Sequence, residues 1–162
     1  MRLRLPRRGW TVLILATAAL ASVPARRVAG AATVAPDSPV GQWKTVDHKT
    51  GQVKAIVAIR EVNGELHGRV VKLFHPPAPH PLCLKCAGAL KNQPVLGMRI
   101  LWGMRQDGNQ WSGGQILDPE NGDIYRCTMS VENGGRELEV RGYIGISIFG
   151  RTEKWVRVGA DK

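Results

Sequence analysis

The first 31 positions of this chain hold no acidic residue, and six of its arginines fall among them. Arg2, Arg4, Arg7 and Arg8 head a stretch that turns apolar over 10–21, which is short for a bilayer span. The pattern reads as an export signal over 1–31 rather than an anchor, with small-residue cleavage sites at 23–25 and 29–31. No cysteine stands near either site, which excludes a lipoprotein. The expected location is periplasmic or secreted, with no membrane span left after cleavage. The lack of acid in this segment also removes nucleic acid as a partner. The whole chain carries +10, but beyond position 31 there are 17 Lys+Arg against 13 Asp+Glu, a net +4, with the two signs interspersed.

Other absences narrow the fold. No amphipathic helix and no internal repeat can be found, and large aromatics are few: five Trp, two Tyr and two Phe. Short β-type segments recur instead, over 40–46, 53–61, 65–73, 98–105, 110–117, 124–132, 136–144 and 152–158. Between them stand turn signals such as Asn63-Gly64, Asp107-Gly108-Asn109 and Asn133-Gly134-Gly135. Eight antiparallel strands joined by short turns predict an all-β, up-and-down barrel, because closure removes the exposed edges of such a sheet. The barrel domain is expected over 40–158, after a disordered tail at 32–39 and before a short tail at 159–162. In the run from Arg141 to Thr152 the glycines read as bends and close contacts of the last strands, and Ser147 reads as a strand residue.

Gly41-x-Trp43 on the first strand and Trp155-x-Arg157 on the last resemble the closure of a lipocalin barrel. The resemblance implies that Trp43 plugs one end while Arg157 packs over its ring, a cation–π contact of about 0.5–2 kcal/mol. Longer stretches, Gly113 to Gly122 with Tyr125 and Val140-Arg141-Gly142-Tyr143 through Arg157, are similar to the bacterial family called domain of unknown function 2147. The opening Val40-Gly41-Gln42-Trp43-Lys44-Thr45 matches it as well. This resemblance implies a lipocalin-like barrel exported from a Gram-negative cell, and it implies no activity.

One connection breaks the regular spacing. Residues 74–97 form a long segment with five of the ten prolines, and long loops in small domains are commonly functional. A short helical turn near 86–91 fits within it. The segment holds His75, His80, Cys83 and Cys86, four residue types that can hold zinc or copper. Oxidation during export competes for the thiols, so no metal is expected and a disulfide is the simpler reading. Three cysteines leave one thiol over. A bond from Cys83 or Cys86 to Cys127 would close a loop of about 40 residues and contribute about 3–4 kcal/mol, whereas Cys83–Cys86 would stabilise little. The loop-to-strand bond is therefore expected. Ala87 after Cys86 excludes haem attachment.

No catalytic constellation is found. Asp118, Glu120 and Asp123 read as a solvated turn that bonds its own backbone, and Ser147 lacks the Gly-x-Ser-x-Gly setting of a nucleophile. Trp102, Trp111, Tyr125 and Tyr143 are candidates to line a ligand cavity, against the simpler reading that they fill a narrow barrel. Three functions are expected in this order: a non-enzymatic barrel that binds a small apolar or amphipathic molecule under the 74–97 loop; a metal- or thiol-handling envelope protein using His80, Cys83 and Cys86; and an interaction module with a filled barrel.

Overall fold

A computed structural model of the protein describes residues 37–47 and 50–160. The expected signal segment and residues 32–36 of the expected tail lie outside the described residues, as do 48–49 and 161–162. Eight strands run in chain order: β1 (Gly41–Val46), β2 (Val53–Val62), β3 (Glu65–Leu73), β4 (Arg99–Asp107), β5 (Gln110–Leu117), β6 (Ile124–Glu132), β7 (Glu137–Tyr143) and β8 (Gly150–Arg157). Each pairs antiparallel with the next, and β1 pairs with β8 through Trp43–Arg157 and Lys44–Val156, which closes the barrel.

The strands form where β-branched and apolar residues alternate with polar ones. On β2 the inward set is Ala55, Val57 and Ile59, all buried, while Lys54, Ile56 and Ala58 are less enclosed. Leu66 and Val70 of β3, Leu101 and Met104 of β4, Cys127 and Met129 of β6, and Leu138 and Val140 of β7 join them in the core. Alternation is interrupted by register shifts near Gly68 on β3 and between Trp111 and Gly114 on β5. There the parity of inward positions changes, so Ile100 and Leu101 are both buried.

The hairpins β2–β3, β4–β5 and β6–β7 stand at one end, with the start of β1 and the end of β8. At this end Trp43 is fully buried, and its indole N–H donates to the Pro39 carbonyl at 2.7 Å. The Arg157 guanidinium lies 4.1 Å from the Trp43 ring centroid. It donates to the carbonyls of Val40 (3.0 Å) and Ser38 (2.7 Å), and also to that of Gly135. Ser38 and Pro39 were expected in a disordered tail; they belong instead to the closed end, because Arg157 and Trp43 bind their carbonyls.

The opposite end carries the loops β1–β2, β3–β4, β5–β6 and β7–β8. The residues from 144 to 149 do not extend a strand. Gly145 has φ 73°, and Ser147–Phe149 form a 3-10 turn, so the reading of Ser147 as a strand residue is corrected. Alternating Ile144, Ile146 and Ile148 imitate a strand in sequence. They find no partner strand beyond Tyr143–Gly150, the last pair of the β7–β8 ladder.

Candidate functional site: an open barrel with a polar mouth

The loop end of the barrel opens into a cavity of about 1080 Å³. Inward positions of six strands give it an apolar lining: Val57, Val70, Ile100, Leu117, Val140 and Trp155. Trp155 is buried and bounds the cavity on the side of the Trp43 plug, while Trp43 itself does not line it. A void this size is at the upper end of ordinary small-ligand pockets.

Polar groups line the cavity as well. On β8 the period-2 rule that turns Trp155 inward also turns Glu153 and Arg151 toward the cavity. Glu153 accepts from the Trp155 indole N–H at 3.4 Å and pairs with Arg151 at 3.4 Å. On β6 the Tyr125 hydroxyl accepts from Asn121 Nδ2 at 2.8 Å and donates to Asp123 Oδ2 at 3.3 Å. Partial burial raises the Tyr125 phenol above its usual value, so it stays a neutral hydrogen-bonding group. Lys54 ion-pairs with Glu120 and lies 3.9 Å from Asp47 at the rim.

Within the β5–β6 turn, Asp118 and Asn121 bond the turn backbone, whereas Glu120 pairs with Lys54 and Asp123 with Tyr125. Asp118 Oδ1 accepts the Glu120 N–H at 2.9 Å, and Asn121 Oδ1 accepts the Asp123 N–H at 2.8 Å. Among the described residues no group of three or more His, Cys, Asp or Glu is placed to hold a metal ion.

The long β3–β4 segment is a structured arm on one side of the mouth. Cys83 N–H bonds Gln93 O (2.9 Å), Asn92 N–H bonds Cys83 O (3.0 Å), and Val95 N–H bonds Pro81 O (2.9 Å). A 3-10 turn at Gly88–Leu90 falls within the expected 86–91. Cys83 and Cys86 are bonded to each other, with Cα atoms 5.4 Å apart, and Cys127 is a free buried thiol. The expected loop-to-strand bond is therefore wrong. The arm packs against the β5–β6 turn, with Cys83 Sγ 3.4 Å from the Pro119 carbonyl oxygen, whereas Cys127 sits in the core between Gly114 and Gly142 of the neighbouring strands. A disulfide sulfur carries no proton, so the Pro119 contact is packing and not a hydrogen bond. In the oxidised pair, neither sulfur is the thiolate that a zinc or copper site with His75 and His80 would require. His75 lines the mouth and His80 is exposed on the arm.

Of the four aromatic candidates, Tyr125 and Tyr143 line the cavity and Trp102 and Trp111 do not. Trp102 lies on the outer face, where its indole N–H donates to Gln115 at 3.1 Å and Arg99 stands 5.8 Å from its ring centroid. Trp111 packs against the core near the closed end. Sequence reasoning passed over Glu153, Arg151 and Asn121. The first two could have been found by counting back in twos from Trp155.

A family model described as "Uncharacterized protein conserved in bacteria (DUF2147)" matches residues 41–157. Among solved structures, the barrel is similar to protein HP1028 from the human pathogen Helicobacter pylori, described as belonging to the lipocalin family. The TM-score is 0.66 at 18% identity, covering 76% of this chain and 84% of that one. At that identity the likeness shows the fold. A comparison with curated proteins finds no match.

Proposed function

The chain belongs to the DUF2147 family, and on the geometry of its barrel we propose that it is an exported, non-enzymatic carrier of one small amphipathic molecule. The observation that carries this reading is the cavity of about 1080 Å³, lined by both apolar inward positions and polar groups. The apolar part of the ligand packs against Val57, Val70, Ile100, Leu117, Val140 and Trp155. Its polar end meets the Tyr125–Asn121 pair and the Arg151–Glu153 pair. Eight-stranded barrels of this type have room for one small ligand, and the likeness to a lipocalin-family structure supports the barrel form that provides it. The basic and apolar N-terminal segment supports export.

The test is titration with N-phenyl-1-naphthylamine, a neutral apolar dye, together with native mass spectrometry of the purified protein. One dye per chain, displaced by long-chain amphiphiles, is the expected result. Absence of saturable binding would sink the carrier reading.

A further inference from the structure

Five large apolar residues among those described are more than 60% exposed: Leu84 (67%), Ile144 (66%), Ile146 (64%), Ile148 (72%) and Phe149 (80%). All five stand at the open end of the barrel. Leu84 is on the β3–β4 arm, and the other four are on the β7–β8 loop across the mouth from it. Leu84, Ile144 and Phe149 line the cavity opening itself. Scattered single exposures are ordinary on a protein surface, but such a concentration at one end marks a contact surface.

The β7–β8 loop holds its shape without covering these side chains. Arg141, on β7, reaches along the outer wall and donates to the carbonyl of Ser147 from Nε (3.0 Å) and Nη2 (2.6 Å). It also donates to Ile148 O (3.3 Å) and Thr152 Oγ1 (2.8 Å). Its guanidinium thus satisfies loop carbonyls and leaves Ile146, Ile148 and Phe149 projecting. Charge is distributed to match. From 141 to 152 the only charged residues are Arg141 and Arg151, at the base of the apolar tip, and neither is an acid. Arg126, on β6, is paired with Tyr143 in the ladder and adds an exposed cation beside the same base, where Arg141 is half-buried and Arg151 is ion-paired with Glu153. Lys85 follows Leu84 on the opposite side of the mouth. The acids of the loops at this end, Asp47, Asp118, Glu120 and Asp123, stand on the β1–β2 and β5–β6 loops and not on the two apolar tips. Apolar tips flanked by Lys and Arg are the composition that inserts at a bilayer surface, with the side chains among acyl chains and the cations among anionic headgroups.

We infer that the mouth of the barrel docks on an anionic lipid surface, with Ile146, Ile148 and Phe149 of the β7–β8 loop inserted and the cavity opening directed at the bilayer. Docking in this way needs no occupant in the cavity, so it stands or falls apart from the carrier reading.

The experiment uses full-length protein labelled with an environment-sensitive nitrobenzoxadiazole dye at Ile148→Cys, or at Glu61→Cys on the closed end as control. Cys127 is buried and does not compete for the label. With vesicles of phosphatidylethanolamine and phosphatidylglycerol, the dye at 148 is expected to shift to the blue and to be quenched by doxyl groups on the acyl chains. The dye at 61 should do neither. The double variant Ile146→Ser/Ile148→Ser should lose about tenfold or more in partition onto these vesicles. Neither residue lines the cavity, so its affinity for N-phenyl-1-naphthylamine should stay within about twofold, which also shows that the barrel is folded. The N-terminal apolar stretch is common to every arm and cannot produce a difference between them. No shift at 148 with anionic vesicles would overturn the inference. So would a shift that appears without lipid and grows with protein concentration, which would mean that a second copy covers the loop.

Discussion

The guanidinium of Arg157 occupies the space where a side chain at Gly41 would begin: a Cβ built there stands 2.7 Å from Nη1. Gly41 also has φ 141°, which L side chains rarely adopt. The first and last strands therefore fit each other only with glycine at 41 and a flat, many-donor cation at 157. Gly41→Ala is expected to destabilise by about 2–3 kcal/mol through strain and displacement of the guanidinium. Arg157→Met should cost about 3 kcal/mol, because the carbonyls of Ser38, Val40 and Gly135 lose their donor. Urea unfolding followed by Trp fluorescence measures both. A loss below about 0.5 kcal/mol for either variant would mean that this end does not hold the barrel closed.

A second close approach ties the arm to the barrel. A Cβ at Gly122, where φ is 82°, would overlap the Lys85 carbonyl and come within 2.8 Å of the Cys86 amide nitrogen. The β5–β6 turn thus rests directly on the backbone of the disulfide loop. Replacing both cysteines by serine should cost only about 2 kcal/mol globally, since the closed loop is short. Gly122→Ala should instead lift the arm off the turn, with hydrogen exchange across 81–95 rising by about tenfold or more while the β2 and β7 amides stay protected. Equal exchange in wild type and Gly122→Ala would show that the contact does not hold the arm.

Val140 faces the cavity from β7, opposite Glu153 of β8. Val140→Phe adds a ring where there is open space, so the overpacking cost should stay under about 2 kcal/mol. The same ring removes room from the ligand, and dye affinity should fall about tenfold or more. Trp102→Phe, on the outer face, should leave dye affinity unchanged. If both variants bind the dye like wild type, the dye is not in the barrel.

Most of the architecture could be read from local signals. Asn63 (φ 54°) and Asn133 (φ 53°) sit in the left-handed region that their turn motifs announce, and the strands between them start and stop within a few residues of expectation. The terminal Gly-x-Trp and Trp-x-Arg pairs marked the closed end. Three things were not legible. Aromatic character makes Trp102 a cavity candidate but does not assign a face, and after the register shifts beside β4 its side chain lies outward beside Gln115. Loop-entropy reasoning ranks disulfides by what each would stabilise, but pairing depends on where chain folding brings the sulfurs, and the arm keeps Cys83 and Cys86 on the β5–β6 turn. The period of 144–149 is that of a strand, yet a partner strand is a property of the whole sheet. With none available, the same residues become an exposed apolar loop.

Cys127 offers a pH-dependent test of the core. Burial in the core between the Gly114 and Gly142 backbones disfavours the thiolate, and its pKa is pushed up to about 12 from the usual 9. The folded chain therefore holds this proton more tightly than the unfolded chain. The resulting stabilisation is complete below pH 9 and is lost as pH rises from 9 toward 12. Two outcomes are expected. At about pH 8 the native protein should react with iodoacetamide far more slowly than the urea-unfolded protein, and unreduced it should yield one modified cysteine per chain. Between pH 9 and pH 12, stability should fall more steeply in wild type than in Cys127→Ala, in which this proton linkage is absent. Parallel pH profiles for the two proteins would show that the thiol at 127 titrates as it does in water, and that the core between β5, β6 and β7 is open to solvent.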